Sequence, residues 1–189
     1  MRAFIAIELP DEIKDRLSRL QQDLKATQAD VKWVEPKNIH LTLKFLGEID
    51  DKKLDGITKI TEDTCGQKNR FQARICSLGA FPRTESPRVI WVGIDTGDKE
   101  VKQIAKELEE KIAKIGIPKE DRLFSSHITI GRTRSSLGRE KLVQGLNNKA
   151  GLDGEKLEFY VTKITLFRST LTPKGPIYEA LKEINLKTT

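Results

Sequence analysis

The chain has 189 residues, 37% of them hydrophobic and 33% charged, with a formal net charge of +6. That balance excludes a disordered polyelectrolyte and fits a soluble globular protein of one domain, or one compact body of two lobes. The basic excess favours a polyanionic partner such as RNA, but lysines spread over helix surfaces give the same charge, so the sum alone establishes no partner.

Cys65 and Cys76 are too few and too isolated for a disulfide framework or a zinc site, and both read as reduced, part-buried thiols of a cytoplasmic protein. The apolar run Ala3 to Ile7 is interrupted by Glu8 and is too short for a secretory leader. No run approaches the roughly 20 apolar residues that a membrane-spanning helix needs.

In chain order, residues near 2–8 read as a strand ended by Pro10. Ile13, Leu17, Leu20 and Leu24 then fall at helical spacing and predict an amphipathic helix from Asp11 to Lys25. A short strand over Val31 to Val34 and a turn at Pro36-Lys37-Asn38 lead into a strand at about 39–46, stopped by Gly47. A second helix follows at about 51–64, with Leu54, Ile57 and Ile60 on its apolar side. Phe71 to Leu78 and Arg88 to Ile94 predict two strands joined by a loop from Phe81-Pro82 to Pro87. Val101, Ile104, Leu108 and Ile112 mark a third helix near 98–115, which Gly116 ends and Pro118 keeps ended. A strand at about 126–131, a helix from Leu137 to Leu146, and strands near 156–161, 163–168 and 177–185 complete the chain. Pro173-Lys174-Gly175-Pro176 breaks the last two strands apart as a turn.

One pattern occurs twice: His40-Leu41-Thr42-Leu43 is echoed by His127-Ile128-Thr129-Ile130, and these hold the only two histidines. In a strand, residues i and i+2 share a face. Each copy therefore presents one imidazole and one hydroxyl, with its aliphatic residues turned into a core. A lone histidine in an apolar strand is most often structural. Both histidines of a chain falling in one pattern shifts the balance to function. A neutral imidazole can take a proton from water while an imidazolium gives one to a leaving oxygen, and threonine hydroxyls can hold the oxygens of a phosphoryl group between them.

The surroundings carry a resemblance. Trp33-Val34-Glu35-Pro36-Lys37-Asn38-Ile39-His40-Leu41-Thr42-Leu43-Lys44-Phe45-Leu46-Gly47 and Phe124-Ser125-Ser126-His127-Ile128-Thr129-Ile130-Gly131-Arg132 resemble the two signatures of the RNA 2′,3′-cyclic phosphodiesterases, also called 2′-5′ RNA ligases, within the two-histidine phosphoesterases. Arg2-Ala3-Phe4-Ile5-Ala6-Ile7, Pro87-Arg88-Val89-Ile90-Trp91 and Ser169 to Tyr178 agree with the same family, so the likeness spans essentially the whole chain. Ser126 stands where the family usually has proline, which leaves the backbone before His127 less fixed.

The resemblance implies an α+β fold: two pseudo-twofold-related lobes whose antiparallel sheets line a central groove, with helices outside. Residues 1–189 are expected to form one bilobal domain, and a monomer. The implied reaction is hydrolysis of an RNA 2′,3′-cyclic phosphate end to a 2′-phosphomonoester, with His40 as proton donor and His127 as proton acceptor. Thr42, Thr129 and Arg132 would hold the phosphate. The same site run in reverse would give 2′-5′ ligation. No metal and no cofactor are expected, because two histidines without neighbouring carboxylates make a poor metal site. A module that binds RNA without catalysis is the reading from another class. It needs no second proton-transfer group, yet the chain carries both.

Three expectations depend on strand parity or on aromatic placement. Strict alternation puts Arg132, five residues after His127, on the far face, and Gly131 would have to relax that. Lys44 shares parity with His40 and either faces the groove or is solvated at its rim. Trp33, Trp91 and Tyr178 are candidates for base stacking but belong to the core more often than not.

Overall fold

The computed structural model describes residues 1–152 and 157–188. In chain order the elements are β1 (Arg2–Glu8), α1 (Asp11–Lys25), β2 (Val31–Trp33), a 3₁₀ turn (Pro36–Asn38), β3 (His40–Glu48), α2 (Asp51–Cys65) and β4 (Phe71–Arg83). There follow β5 (Ser86–Ile94), α3 (Asp98–Ala113), β6 (His127–Thr133), α4 (Arg139–Asn148), β7 (Glu158–Val161), β8 (Lys163–Thr172) and β9 (Gly175–Asn185). Of the strand expected at 156–161, residue 156 lies outside the described residues.

The strands form two antiparallel sheets, ordered β3-β1-β8-β9 and β2-β6-β5-β4-β7. Each sheet draws strands from both halves of the chain. Helices α2 and α3 pack on each other and on β9 and β3 of the first sheet; α1 and α4 pack on each other, and α4 on β5 of the second. The expected α+β architecture with helices outside is the one observed. Its helices are amphipathic for the reason read from spacing: Ile13, Leu17, Leu20 and Leu24 of α1 are all buried, as are Val101, Ile104, Leu108 and Ile112 of α3. Asp50 caps α2 by accepting from the Lys53 N–H at 2.8 Å, satisfying a donor that the helix itself leaves free.

Several elements differ in extent from expectation. β3 continues through Gly47 to Glu48, and β8 runs to Thr172 while β9 begins at Gly175, so of the expected four-residue turn only Pro173 and Lys174 lie between strands. The segment expected as a loop from Phe81-Pro82 to Pro87 is mostly strand: β4 runs on to Arg83 and pairs with β5 through Pro82↔Pro87 and Arg83↔Ser86. Proline is tolerated there because the ladder is irregular between Phe81 and Pro82 and ends two residues later. Helix α4 starts at Arg139 rather than Leu137, because Gly138 holds φ +69° and a Cβ there would lie 2.7 Å from the Ala29 Cα.

The feature that decides where side chains point is an extra residue directly after each motif threonine; β3 has a second irregularity further on, where Leu46 is left out of the pairing with β1. Between β1 and β3, Ile5 pairs with Lys44 and Ala6 with Thr42, so Leu43 bulges from the ladder. Between β5 and β6, Ile90 pairs with Gly131 and Trp91 with Thr129, so Ile130 bulges. A bulge inserts one residue against none on the partner and reverses parity beyond it. Leu43 and Lys44 are accordingly both buried and Phe45 is 56% exposed; Ile130 and Gly131 are both buried and Arg132 is exposed.

Gln21 of α1 holds the second bulge. Its side chain is buried, and its Nε2 donates to the Ile130 and Val34 carbonyls, both at 2.8 Å. Gly131 has no Cβ because one would lie 2.9 Å from a methyl of Val31 and 3.0 Å from the Trp33 ring. Trp33 is partly buried and packs against the core beside Gly131. Replacing Gln21 by Leu keeps the volume but removes both bonds; the Ile130 carbonyl keeps the Val34 N–H at 3.0 Å, while the Val34 carbonyl loses its side-chain donor. Urea denaturation should show a loss of about 1–3 kcal/mol, the cost of leaving one buried polar group unsatisfied.

Candidate active site

The two motif strands adjoin at the seam between the sheets, and each begins at its histidine. His40 Nδ1 lies 2.7 Å from the Asn38 carbonyl oxygen and His127 Nδ1 lies 2.8 Å from the Ser125 carbonyl oxygen. A carbonyl can only accept, so in each ring Nδ1 carries the proton that it donates to the residue two places earlier. Neutral imidazole then keeps its lone pair on Nε2 in both motifs. The two rings are held by the same bond, made twice.

Their surroundings are unlike. The His40 ring stacks on Phe4 at 4.8 Å between centroids and meets Tyr178 edge-on at 5.3 Å. Phe4 in turn stacks on Phe167 at 5.2 Å, and with Ala6 these form an apolar cluster separate from the main core. His127 meets only one ring among the described residues, that of Phe81, edge-on at 5.0 Å. Burial lowers the His40 pKa below the ordinary imidazole value; the bond to Asn38 pushes it up, the Lys14 ammonium lowers it, and the Glu8 carboxylate raises it. Asn38 is itself buried, and its Nδ2 donates to the Pro176 carbonyl at 3.0 Å, which anchors the residue that orients His40 to the β8–β9 hairpin.

The other expected residues fall as follows. Thr42 Oγ1 lies 2.9 Å from His40 Nε2 and donates to it when the ring is neutral. Thr129 shares a face with His127, two residues on and before the bulge. Arg132 lies beyond the bulge and pairs with Val89 of β5, two residues before Trp91, the partner of Thr129. It therefore returns to the His127 face, through the bulge rather than through a bend at Gly131. Burial pushes the Tyr178 phenol up, while Arg132 and Arg2 pull it down, which sets Arg132 of one sheet near Tyr178 of the other. Lys44 does not face the groove or its rim. The Leu43 bulge turns it inward, and its Nζ meets Glu109 Oε2 at 2.6 Å.

Trp91 lies across its own sheet: a Cβ on Gly79 would come within 2.6 Å of its ring, and one on Gly93 within 3.2 Å. These two glycines make its bed. Asn38, Ser125, Phe4 and Gln21 act on the site through backbone or packing, and composition carried no sign of that. The spacing Asn38-x-His40 and Ser125-x-His127 was the available clue. Among the described residues no three His, Cys, Asp or Glu side chains gather as a metal site, and no helix is long and apolar enough to cross a membrane.

The profile of the LigT-like phosphoesterases matches this chain twice in tandem, over residues 7–91 and 92–178. The chain belongs to that family. An RNA 2′,3′-cyclic phosphodiesterase of Methanocaldococcus jannaschii is 37% identical over 183 residues, covering 97% of this chain and 99% of that protein. One from Methanothermobacter thermautotrophicus is 33% identical over 186 residues, covering 98% and 99%. Among solved structures, E. coli LigT complexed with 3′-AMP superposes with a TM-score of 0.79 at 25% identity, covering 98% of this chain and 97% of that one. The tandem match places one motif histidine in each copy of the family's repeat.

With only two histidines, both imidazoles can be followed individually by NMR. His40 should titrate below about 6.5 in the free protein. The sign for stability follows. Unfolded His40 takes up its proton near 6.5 and the native ring only at lower pH, so the native state loses stability as pH falls through that window. Inorganic phosphate, an anion placed beside the ring, should raise the midpoint.

Proposed function

We propose that this chain hydrolyses 2′,3′-cyclic phosphate ends of RNA to 2′-phosphomonoesters, with His40 as proton donor and His127 as proton acceptor. The observation that carries the reading is the repeated bond from Nδ1 to the carbonyl two residues earlier, which leaves Nε2 of both imidazoles as the reactive atom. The shared name of its relatives, RNA 2′,3′-cyclic phosphodiesterase, supports the substrate, and the nucleotide held by E. coli LigT supports a nucleotide-sized groove.

His127 Nε2 takes a proton from water as its oxygen bonds to phosphorus. The P–O3′ bond breaks, and His40 Nε2–H gives its proton to the departing O3′, leaving the phosphate on O2′. Thr42, Thr129 and Arg132 donate to the non-bridging oxygens, where charge grows in the transition state. For Arg132 the bulge makes this possible, since it returns a permanently charged, planar donor to the histidine face. With the 5′-hydroxyl of a second RNA end in the place of water, the same groups give ligation: O5′ bonds to phosphorus as its proton passes to His127 Nε2, the P–O3′ bond breaks, and His40 protonates O3′, leaving a 2′-5′ linkage.

Burial of His40 bears on its role. A donor must be protonated, yet the free protein disfavours the imidazolium. The substrate's own negative charge, held between the two rings, favours it again. The productive state, imidazolium at 40 and neutral ring at 127, is then assembled by substrate binding. The reading extends to the whole chain: residues 1–189 act as one bilobal unit, as a monomer in the cytoplasm.

The test is incubation with a short RNA ending in a 2′,3′-cyclic phosphate, with EDTA present. A 2′-phosphate product that disappears with either His40→Ala or His127→Ala is expected; undiminished turnover by the double variant would sink the assignment. The pH dependence of kcat/KM should be bell-shaped, its limbs belonging to the pair rather than to either ring. Arg132→Ala should lower kcat by about a hundredfold, the scale of losing one charge-stabilising donor.

A further inference from the structure

Lys44 is buried where a lysine is costly. Its side chain is 1% exposed, its Nζ lies 2.6 Å from Glu109 Oε2, and it donates to the Pro118 carbonyl at 3.0 Å. The other Glu109 oxygen accepts the Glu120 backbone N–H. Stability alone does not call for this arrangement, because well-packed apolar side chains generally stabilise a buried site as well as an ion pair does. What the pair connects is more telling. Lys44 belongs to β3, directly after the bulge of the first motif. Pro118 and Glu120 belong to the segment between α3 and β6 that leads into the second.

That segment has few other holds. Ile117 is buried and Phe124 packs against the core. Among the described residues, the hydrogen bonds that tie residues 117–124 to other parts of the protein run to Lys44 and Glu109. The segment ends at Ser125, whose carbonyl fixes the ring of His127. Ser126, where the family usually has proline, leaves the backbone just ahead of His127 free of that ring constraint. Ser126 is buried, and the ladder pair Gly93↔His127 holds the start of β6; a tether on the segment before it adds to that hold.

We propose that the Lys44–Glu109 pair is a positioning device: it ties the strand of the first motif to the approach of the second and so sets where His127 stands relative to His40. Neither residue touches substrate. Both act through the Pro118 to Ser125 segment, and the proposal rests on the two-imidazole reading above. The second motif carries no counterpart, since Gly131 occupies the position that Lys44 holds after the first bulge. The tether is one-sided, from β3 to the neighbourhood of His127.

The decisive variant is K44M/E109M, which removes both charges together and leaves no unpaired ion in the core. Its fold is checked by circular dichroism, and E109Q, nearly isosteric, serves as a second variant. In both, kcat for the cyclic-phosphate RNA should fall, about tenfold to a hundredfold in the double variant, with KM within about twofold of the parent's, since misplacing a reacting group by about 1 Å costs on that order. The imidazole Nδ1–H signal of His127 should exchange faster with water while that of His40 is unchanged. A folded double variant, or E109Q, with parental kcat and a parental His127 signal would overturn the proposal. If the parent itself leaves the RNA intact, the functional reading fails, and the His127 signal still decides whether the tether exists.

Discussion

A bulge directly after each motif threonine controls this site. A strand alternates its side chains strictly, so a motif of histidine, aliphatic, threonine, aliphatic can offer only the imidazole and the hydroxyl to one face. Leu43 and Ile130 break that rule by bulging, and the residues directly after them change side. Beyond Ile130 the change delivers Arg132 to the face that holds His127 and Thr129. Beyond Leu43 it sends Lys44 into the core and brings out Phe45, 56% exposed and 6.4 Å from Phe4. The same backbone device yields a cation on one wall and an aromatic ring on the other. Gln21, reaching from α1 to the Ile130 carbonyl, shows that the helix layer is built to keep the device in place.

The two halves repeat in backbone and differ in environment. Both imidazoles donate Nδ1–H to the carbonyl two residues before, which is a local consequence of where each strand begins. Beyond that bond the symmetry ends. His40 lies among Phe4, Tyr178 and the Phe167 cluster, in a pocket that opposes its charge; its bond to Asn38 is partly buried. His127 has one ring beside it, and its bond to Ser125 is exposed. Two chemically identical groups placed in unlike surroundings are the usual means of obtaining an acid and a base from one residue type.

The sequence disclosed the elements and the two histidines, because hydrophobic period and motif repetition are local signals. The helices at Asp11–Lys25 and Asp98–Ala113 follow directly from the spacing of buried leucines, isoleucines and valines. Side-chain direction beyond each motif was hidden, because parity assumes an unbroken ladder and a bulge is fixed by the partner strand. A trace of it was present. Strict alternation through Leu43-Lys44-Phe45-Leu46 would have buried Phe45 and exposed Leu46, whereas Leu46 is buried and Phe45 is not. The carbonyls of Asn38 and Ser125 were equally hidden, since backbone groups carry no residue signature. The β4–β5 pairing through Pro82 was misread because proline argues against a strand unless an irregular ladder end can be foreseen.

The burial of His40 bears directly on the donor role proposed for it. Burial lowers the proton affinity of the ring and so disfavours the imidazolium in the free protein. The ring that disfavours its own charge is also the stronger acid once charged, because the same desolvation that lowers its affinity helps it release the proton to a leaving oxygen. In the proposed reaction, an anion held beside the ring supplies the missing stabilisation, so the charged donor belongs to the occupied site. The aromatic cluster around Phe4, set apart from the main core, is the part of the fold that buries the ring and lowers its affinity for the proton.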